Sequence, residues 1–469
     1  MIPLLLLPLG AIAIPLLSLA TGQKKIFASI ALFLLALSLA SVFLPEPNIG
    51  VSSTLFAVDG LGRFFSFLFL LVAFLVGLFT LDSESKHPAV FYSMLLAGTS
   101  SMIVVSLAKN LIGIFIGLEL LSLCFYELCA FKKDPSGLES AMKLYFMSLF
   151  ASALFVLGAV LVYGETRTLE LRTFFVSPAT PAFLMGVSLI VAGLSFKMSL
   201  FPFNFWLPDV YEGAPSEVTA LLAASAKKAG FAAFVRVVAP LATLSVSNPA
   251  LLQISGKLQG ALALLSFLTM SFGNVIAMVQ KSVKRMIAYS IIAHAGFLAI
   301  GLAAGSALGY LGLLFHILVH ALMAAGIFLL FSVFDGQSLE TLDDYDGLGK
   351  RAPLISVLLT VFLLSLTGIP PLAGFLSKFI LWSSAMEAGY VWLAVAAIIN
   401  SALSTYFYFL ILRRVWGFAP RDGNPTPVVS WNKKCALLIP AILLAVLGVY
   451  PNPILSVLKN IIAASGLVA

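Results

Sequence analysis

Residues 182–213 read AFLMGVSLIVAGLSFKMSLFPFNFWLPDVYEG, an apolar run interrupted by Pro202 and Pro208, with Lys197 just before the first proline. A helix crossing a bilayer needs about 20 apolar residues, so this run is too long for one regular crossing. Proline removes a backbone donor and clashes with the preceding turn. Broken backbone at membrane depth persists where it is buried in protein or lines a watery cavity. The stretch therefore predicts a discontinuous span with a lysine beside its break. Residues 353–387 repeat the pattern, with Gly368-Ile-Pro-Pro371 followed by Lys378.

Composition agrees with a membrane setting. Of 469 residues, 61% are hydrophobic and 10% charged, and the mean hydropathy is +1.08, whereas soluble domains carry about 25% charged residues. The expected fold is an all-α polytopic membrane protein with residues 1–469 forming one membrane domain. Apolar stretches fall near 1–20, 25–44, 60–81, 88–107, 110–130, 137–163, 182–213, 216–246, 256–279, 283–303, 308–334, 353–387, 391–416 and 434–458, about 14 transmembrane helices. The breaks lie in spans seven and twelve. Paired discontinuous helices point to a repeat, and an odd offset of five spans makes it an inverted one. Spans 4–8 (88–246) and 9–13 (256–416) would be two inverted five-helix repeats, on this pattern alone.

Charge sets an orientation. Fifteen lysines and arginines follow odd-numbered spans and seven follow even-numbered ones. This bias predicts cytoplasmic odd-numbered loops in a prokaryotic cell membrane, with both termini outside. The net charge of +7 is thus a loop bias, and no nucleic-acid partner is expected. The first twenty residues lack a basic n-region and read as a spanning helix rather than a signal peptide. Ser136 and Glu139 suggest a capping box opening span six after Pro135. Loop 335–351, with Asp343, Asp344 and Asp346, is too polar for the bilayer. Cys124, Cys129 and Cys435 form no CxxC or four-ligand set, so no iron–sulfur cluster or structural zinc is expected.

The ionisable residues inside spans carry the chemistry. A charge at the centre of a spanning helix costs about 2.5–3.5 kcal/mol on insertion scales. Glu119, in span five, must be protonated or paired with a lysine from another helix. Lys197 lies too deep to reach the interface, and a buried amine beside a movable carboxylate suits a proton relay. Lys227 and Lys228 are adjacent and point about 100° apart, so only one can face a given path. Lys378 sits in the second half of a broken span. Lys143 is two turns from the start of span six, where snorkelling also explains it. Glu127 reads as a helix-end residue near Lys132 and Lys133. His316 and His320 share a face of span eleven and His294 lies in span ten. Imidazole titrates near neutrality, and no third ligand is evident for a metal.

These residues fall in segments that resemble the antiporter-like proton-pumping subunits of respiratory complex I and its relatives. Phe196-Lys-Met-Ser-Leu-Phe-Pro-Phe-Asn-Phe-Trp-Leu-Pro-Asp-Val-Tyr-Glu-Gly-Ala-Pro215 is similar to that family's broken seventh helix, with an ending like that of the N-type subunit. Gly117-Leu-Glu-Leu-Leu-Ser122, Lys284-Arg-Met-Ile-Ala-Tyr-Ser290 with Ala293-His-Ala-Gly296, and Gly368-Ile-Pro-Pro-Leu-Ala-Gly-Phe-Leu-Ser-Lys378 follow in order over most of the chain. The resemblance implies a proton relay of Glu119, Lys197, Lys227 and Lys378, with Lys143, His294, His316 and His320 as accessory residues. It alone selects Lys227 over Lys228. Phe315-His-Ile-Leu-Val-His-Ala321 departs toward the L- and M-type subunits, and Ala324-Ala325 stands where those continue with lysine.

The implied function is proton translocation driven by redox chemistry elsewhere in a complex I-type quinone oxidoreductase. Neither cofactor nor metal is expected on this chain; flavin, iron–sulfur clusters and quinone would sit in partner subunits. Its partners would be membrane and peripheral subunits and the lipid bilayer. A multi-subunit cation/proton antiporter subunit is the alternative, against which Val-Tyr-Glu-Gly-Ala-Pro215 speaks. A third reading is a packing subunit that conducts nothing.

Overall fold

A computed structural model describes residues 2–20, 23–44, 55–83, 87–171, 180–244, 249–335, 340–420, 427 and 429–467. Lys86, Arg172 and Arg421, part of the charge bias above, and residues 336–339 of the acidic loop lie outside the described residues.

The described residues form helices α1 (Ile2–Ala20), α2 (Lys24–Ser41), α3 (Gly60–Thr80), α4 (Pro88–Leu107), α5 (Leu111–Cys129), α6 (Pro135–Thr166), α7 (Pro181–Met198), α8 (Trp206–Gly213), α9 (Ser216–Leu221) and α10 (Lys227–Leu244). The order continues with α11 (Pro249–Met278), α12 (Val283–Ala304), α13 (Ala307–Ser332), α14 (Leu348–Arg351), α15 (Pro353–Thr367), α16 (Ala373–Glu387), α17 (Val391–Gly417), α18 (Trp431–Val449) and α19 (Asn452–Ser465). Thirteen helical stretches are long and apolar enough to cross a membrane. The interrupted pair α15 and α16 supplies the remaining crossing, so the expected all-α polytopic fold is the one observed.

Local chemistry sets several starts. Asp59, Asn110, Thr180, Ser282 and Ser306 each accept a hydrogen bond from the backbone three residues on, satisfying one of the orphan donors of a helix N-terminus. Two expectations need correction. The sixth span starts at Pro135 with Asp134 as its cap, accepting from Gly137 N at 3.0 Å. A capping carboxylate followed by proline at the first helical position takes precedence over the Ser136–Glu139 box. The last span is not one helix over 434–458. It ends at Val449 and restarts at Asn452, since Pro451 has no N–H to continue the ladder.

The chain divides into two compact units. One comprises Met1–Ser199, Ser225–Leu258 and Asn460–Ala469; the other comprises Leu200–Ala224 and Gln259–Lys459. In the first unit, α3 and α4 are mostly buried, whereas α1, α2 and α6 are largely exposed. Along α6 the exposed side chains include Met142, Phe146, Leu149 and Phe150, an apolar face suited to hydrocarbon or a neighbouring membrane chain. In the second unit, α13 is apolar apart from His316, His320 and Ser332 and is buried except at its ends, as expected of a central helix.

Candidate functional site

Each unit holds a lysine next to a helix break. In the first unit, α7 ends in the left-handed residue Ser199 (φ 58°), which puts Lys197 in its last turn. Exposed carbonyls there favour a cation. Gly193, one turn earlier, lets α6 and α7 approach: a Cβ there would lie 2.8 Å from the Ala151 carbonyl. Lys197 Nζ donates to Ser148 Oγ on α6 and Ser122 Oγ on α5, both at 2.6 Å. Ser152, one turn beyond Ser148, donates to Glu119 Oε1 and also approaches the Ser148 carbonyl at 2.9 Å. Glu119 and Lys197 are therefore joined through serines rather than by the direct ion pair that the charges suggest. The carboxylate is partly exposed at the edge of the unit.

Lys227 opens α10 and backs onto this centre. Gly230, one turn along, meets α7 so closely that a Cβ would lie 3.0 Å from the Lys197 Cβ. Immediately before Lys227 the helix widens into a π turn over Leu222–Ala226, a feature that sequence pattern does not reveal and that often accompanies functional sites. Lys227 and Lys228 are 4% and 0% exposed, so burial does not choose between them. Lys143 pairs with Glu139 at 2.8 Å, with side chains 42% and 66% exposed; this is the arrangement that snorkelling predicts.

In the second unit, the break between α15 and α16 turns at Gly368, with φ 88°. A Cβ there would also lie 3.1 Å from Lys378 Cδ. Ending α15 frees its last carbonyls, and Lys378 Nζ uses them, donating to Leu366 O at 2.8 Å and Thr367 O at 3.0 Å. Its third partner is Ser401 Oγ at 3.1 Å, and the Phe297 ring centroid lies 4.9 Å away. A fully buried amine thus finds three acceptors and an aromatic face, which suits an ammonium.

Three histidines gather beside it. His294 Nδ1 is 3.1 Å from His316 Nε2, and His316 Nδ1 is 2.8 Å from Ser377 Oγ, which itself donates to Gly374 O at 3.0 Å. With its proton committed, Ser377 accepts from His316. The network thereby assigns a neutral His316 its Nδ1–H tautomer, and His294 donates to the free Nε2. The His320 ring centroid lies 4.8 Å from that of His294. The i, i+4 spacing announced His316 and His320, whereas the arrival of His294 from α12 is a tertiary fact.

Sequence reasoning missed two further features. Arg285 binds Asp209 at 2.7 Å and Glu212 at 2.9 Å, while Asp335 accepts from Ser216 N and Oγ at 3.0 and 2.7 Å. These contacts pin α8 and α9 to the ends of α12 and α13. Among the described residues, Asn204, fully buried after the first break, has no hydrogen-bond partner for either amide atom, and Ser365 Oγ before the second has none. An unmet buried polar group costs about 1–3 kcal/mol, and such groups are ordinarily satisfied by internal water. Each break thus lies beside a buried polar group without a partner among the described residues.

Comparison with known proteins gives consistent matches. Residues 108–404 match the family described as NADH:quinone oxidoreductase/Mrp antiporter, TM. The F(420)H(2) dehydrogenase subunit N of Methanosarcina mazei is 37% identical, with 89% of this chain and 88% of that protein covered. The NADH-quinone oxidoreductase subunit N of Moorella thermoacetica is 34% identical over 97% and 95%. A chain of respiratory complex I from Thermus thermophilus superimposes with a TM-score of 0.83 at 33% identity, covering 97% of this chain and 98% of that one.

Proposed function

Because the chain belongs to the NADH:quinone oxidoreductase/Mrp antiporter membrane family, we propose that it is the proton-translocating membrane subunit of a complex I-type oxidoreductase. It works as one subunit of a multi-subunit membrane assembly. Flavin, iron–sulfur clusters and quinone belong to its partner subunits, and its own part is to move protons.

The observation that carries this reading is a hydrogen-bonded lysine beside each of two helix breaks, Lys197 and Lys378. With Glu119 near, Lys197 holds its proton on two serine hydroxyls. Withdrawal of the carboxylate removes the opposite charge and favours release. The proton then passes through Lys227, with Lys378 as the terminal residue and the histidines as accessory carriers. Moving one charge against 100 mV costs about 2.3 kcal/mol, comparable with the loss of one or two charge-assisted hydrogen bonds at about 1.5–3 kcal/mol each. The inverted repeat of 88–246 and 256–416, with a break in corresponding spans, and the placing of both termini outside are parts of the same reading.

The test is Lys197→Ala in the assembled complex reconstituted into vesicles. Electron transfer without acidification of the vesicle lumen is expected. Normal pumping by an assembled variant would remove Lys197 from the relay. Sodium-dependent exchange in the absence of an electron donor would instead favour the antiporter alternative.

A further inference from the structure

At one end of the first unit, the start of α1, the end of α2, the start of α3 and the end of α4 enclose an open groove. Because successive spans alternate in direction, these four ends share one membrane face, at the level of lipid headgroups. Its walls include Leu4, Val42, Ile103 and Leu107, and two polar residues of α3, Arg63 and Ser66, also line it. The pair is three residues apart, so both side chains lie on one helix face.

Among the described residues, neither polar group is claimed by a side-chain partner. Asp59, four residues before Arg63 and its natural partner in a helix, is taken by Arg236, whose two terminal nitrogens reach the carboxylate at 2.5 and 2.6 Å. The same carboxylate caps α3 through Gly62 N at 2.8 Å. Among the described residues, the Arg63 guanidinium has no ion pair or side-chain hydrogen bond. Ser66 is only 5% exposed. Helical serines commonly bond back to the carbonyl four residues earlier, yet its hydroxyl makes no hydrogen bond among the described residues and lines the groove. A hydroxyl that lines the groove and a guanidinium without a side-chain partner among the described residues, one turn apart, make a donor set for a tetrahedral anion.

The surroundings identify which anion. Most of the groove's lining is apolar, and the chain neighbours of Leu4 and Val42, Leu5 and Phe43, are 61% and 73% exposed. An isolated phosphate ion would gain nothing from those walls. A phospholipid would lay an acyl chain against them while its phosphate meets the donors. The geometry points to a binding site for one anionic phospholipid between α1, α2, α3 and α4, its phosphodiester held by Arg63 and Ser66.

The test uses the purified complex in vesicles containing a photoactivatable phosphatidylglycerol, with labelled residues mapped by mass spectrometry. Labelling should fall on the helix ends bordering Arg63, and inorganic phosphate should not protect them. In Arg63→Gln the label should fall roughly tenfold, the loss of one charge-assisted contact, with Arg63→Lys intermediate and Ser66→Ala also reduced. An unlabelled wild-type groove, or equal labelling in Arg63→Gln, overturns the site. Protection by inorganic phosphate overturns its assignment to lipid. Carbodiimide coupling of the Arg63→Lys side chain to a carboxylate of a neighbouring subunit would show that a protein partner occupies the groove instead. Should Arg63→Gln fail to assemble, wild-type labelling and the Ser66→Ala variant decide the matter.

Discussion

The Ser401 hydroxyl stands 3.1 Å from the Lys378 nitrogen and 3.3 Å from the Thr367 carbonyl. Of the three groups that Lys378 meets, it alone can change sides. The two carbonyls only accept, so they serve the ammonium. A neutral amine has a lone pair, and Ser401 can rotate its proton away from Thr367 to satisfy it. The hydroxyl therefore suits both states through which a relay lysine must pass.

Replacing Ser401 by alanine should leave the complex assembled and slow proton pumping about tenfold, the effect of one lost hydrogen bond to a charged group. Ser401→Thr keeps the hydroxyl and should restore most of the rate. Lumenal acidification followed with a pH-sensitive dye measures both. An alanine variant pumping at the wild-type rate would refute the two-state role.

The serines around Lys197 make a parallel case. Ser122 and Ser148 each accept a hydrogen bond from the Lys197 ammonium. The double change Ser122→Ala with Ser148→Ala removes them at a cost of about 1.5–3 kcal/mol each. Pumping should fall nearly as far as in Lys197→Ala, while either single variant keeps part of it. If the double variant pumps like wild type, the serines are packing groups only.

Lys143 supplies a contrast on the neighbouring helix. Its partner Glu139 is largely exposed, and such surface pairs contribute about 0–1 kcal/mol. Lys143→Ala should therefore pump within a few-fold of wild type. A loss as severe as that of Lys197→Ala would move Lys143 from the periphery into the obligatory path.

Much of this arrangement was readable in the chain because bilayer insertion imposes strong local rules. Long apolar runs gave the spans, and prolines beside lysines gave the two breaks. What escaped depends on tertiary contact or leaves little mark on composition. Serines at i, i+4 such as Ser148 and Ser152 are common in helices, and nothing local says that they meet Lys197. His294 joins His316 only because α12 packs on α13. A π turn adds one residue to a helical turn without a characteristic residue type, so Leu222–Ala226 reads in the sequence as regular helix. The split at Pro451 is different, since the proline is visible in the sequence but lies inside an apolar run long enough to span.

The second break can be tested through its geometry. Gly368 has φ 88°, and an L-residue in the left-handed region costs about 1–2 kcal/mol. Gly368→Ala adds to this a methyl group 3.1 Å from Lys378 Cδ. The amine must then shift away from Leu366 O and Thr367 O, so stability and pumping should fall together. Gly164, exposed within α6, is the matched control: a Cβ there meets nothing within 4 Å. Gly164→Ala should hold or raise stability, by about 0.5–1 kcal/mol on helix propensity alone, and leave pumping intact. Thermal denaturation of the two complexes, read beside their pumping rates, separates a general response to added methyl groups from displacement of Lys378. Equal behaviour of the two variants would mean that the turn at Gly368 does not position the lysine.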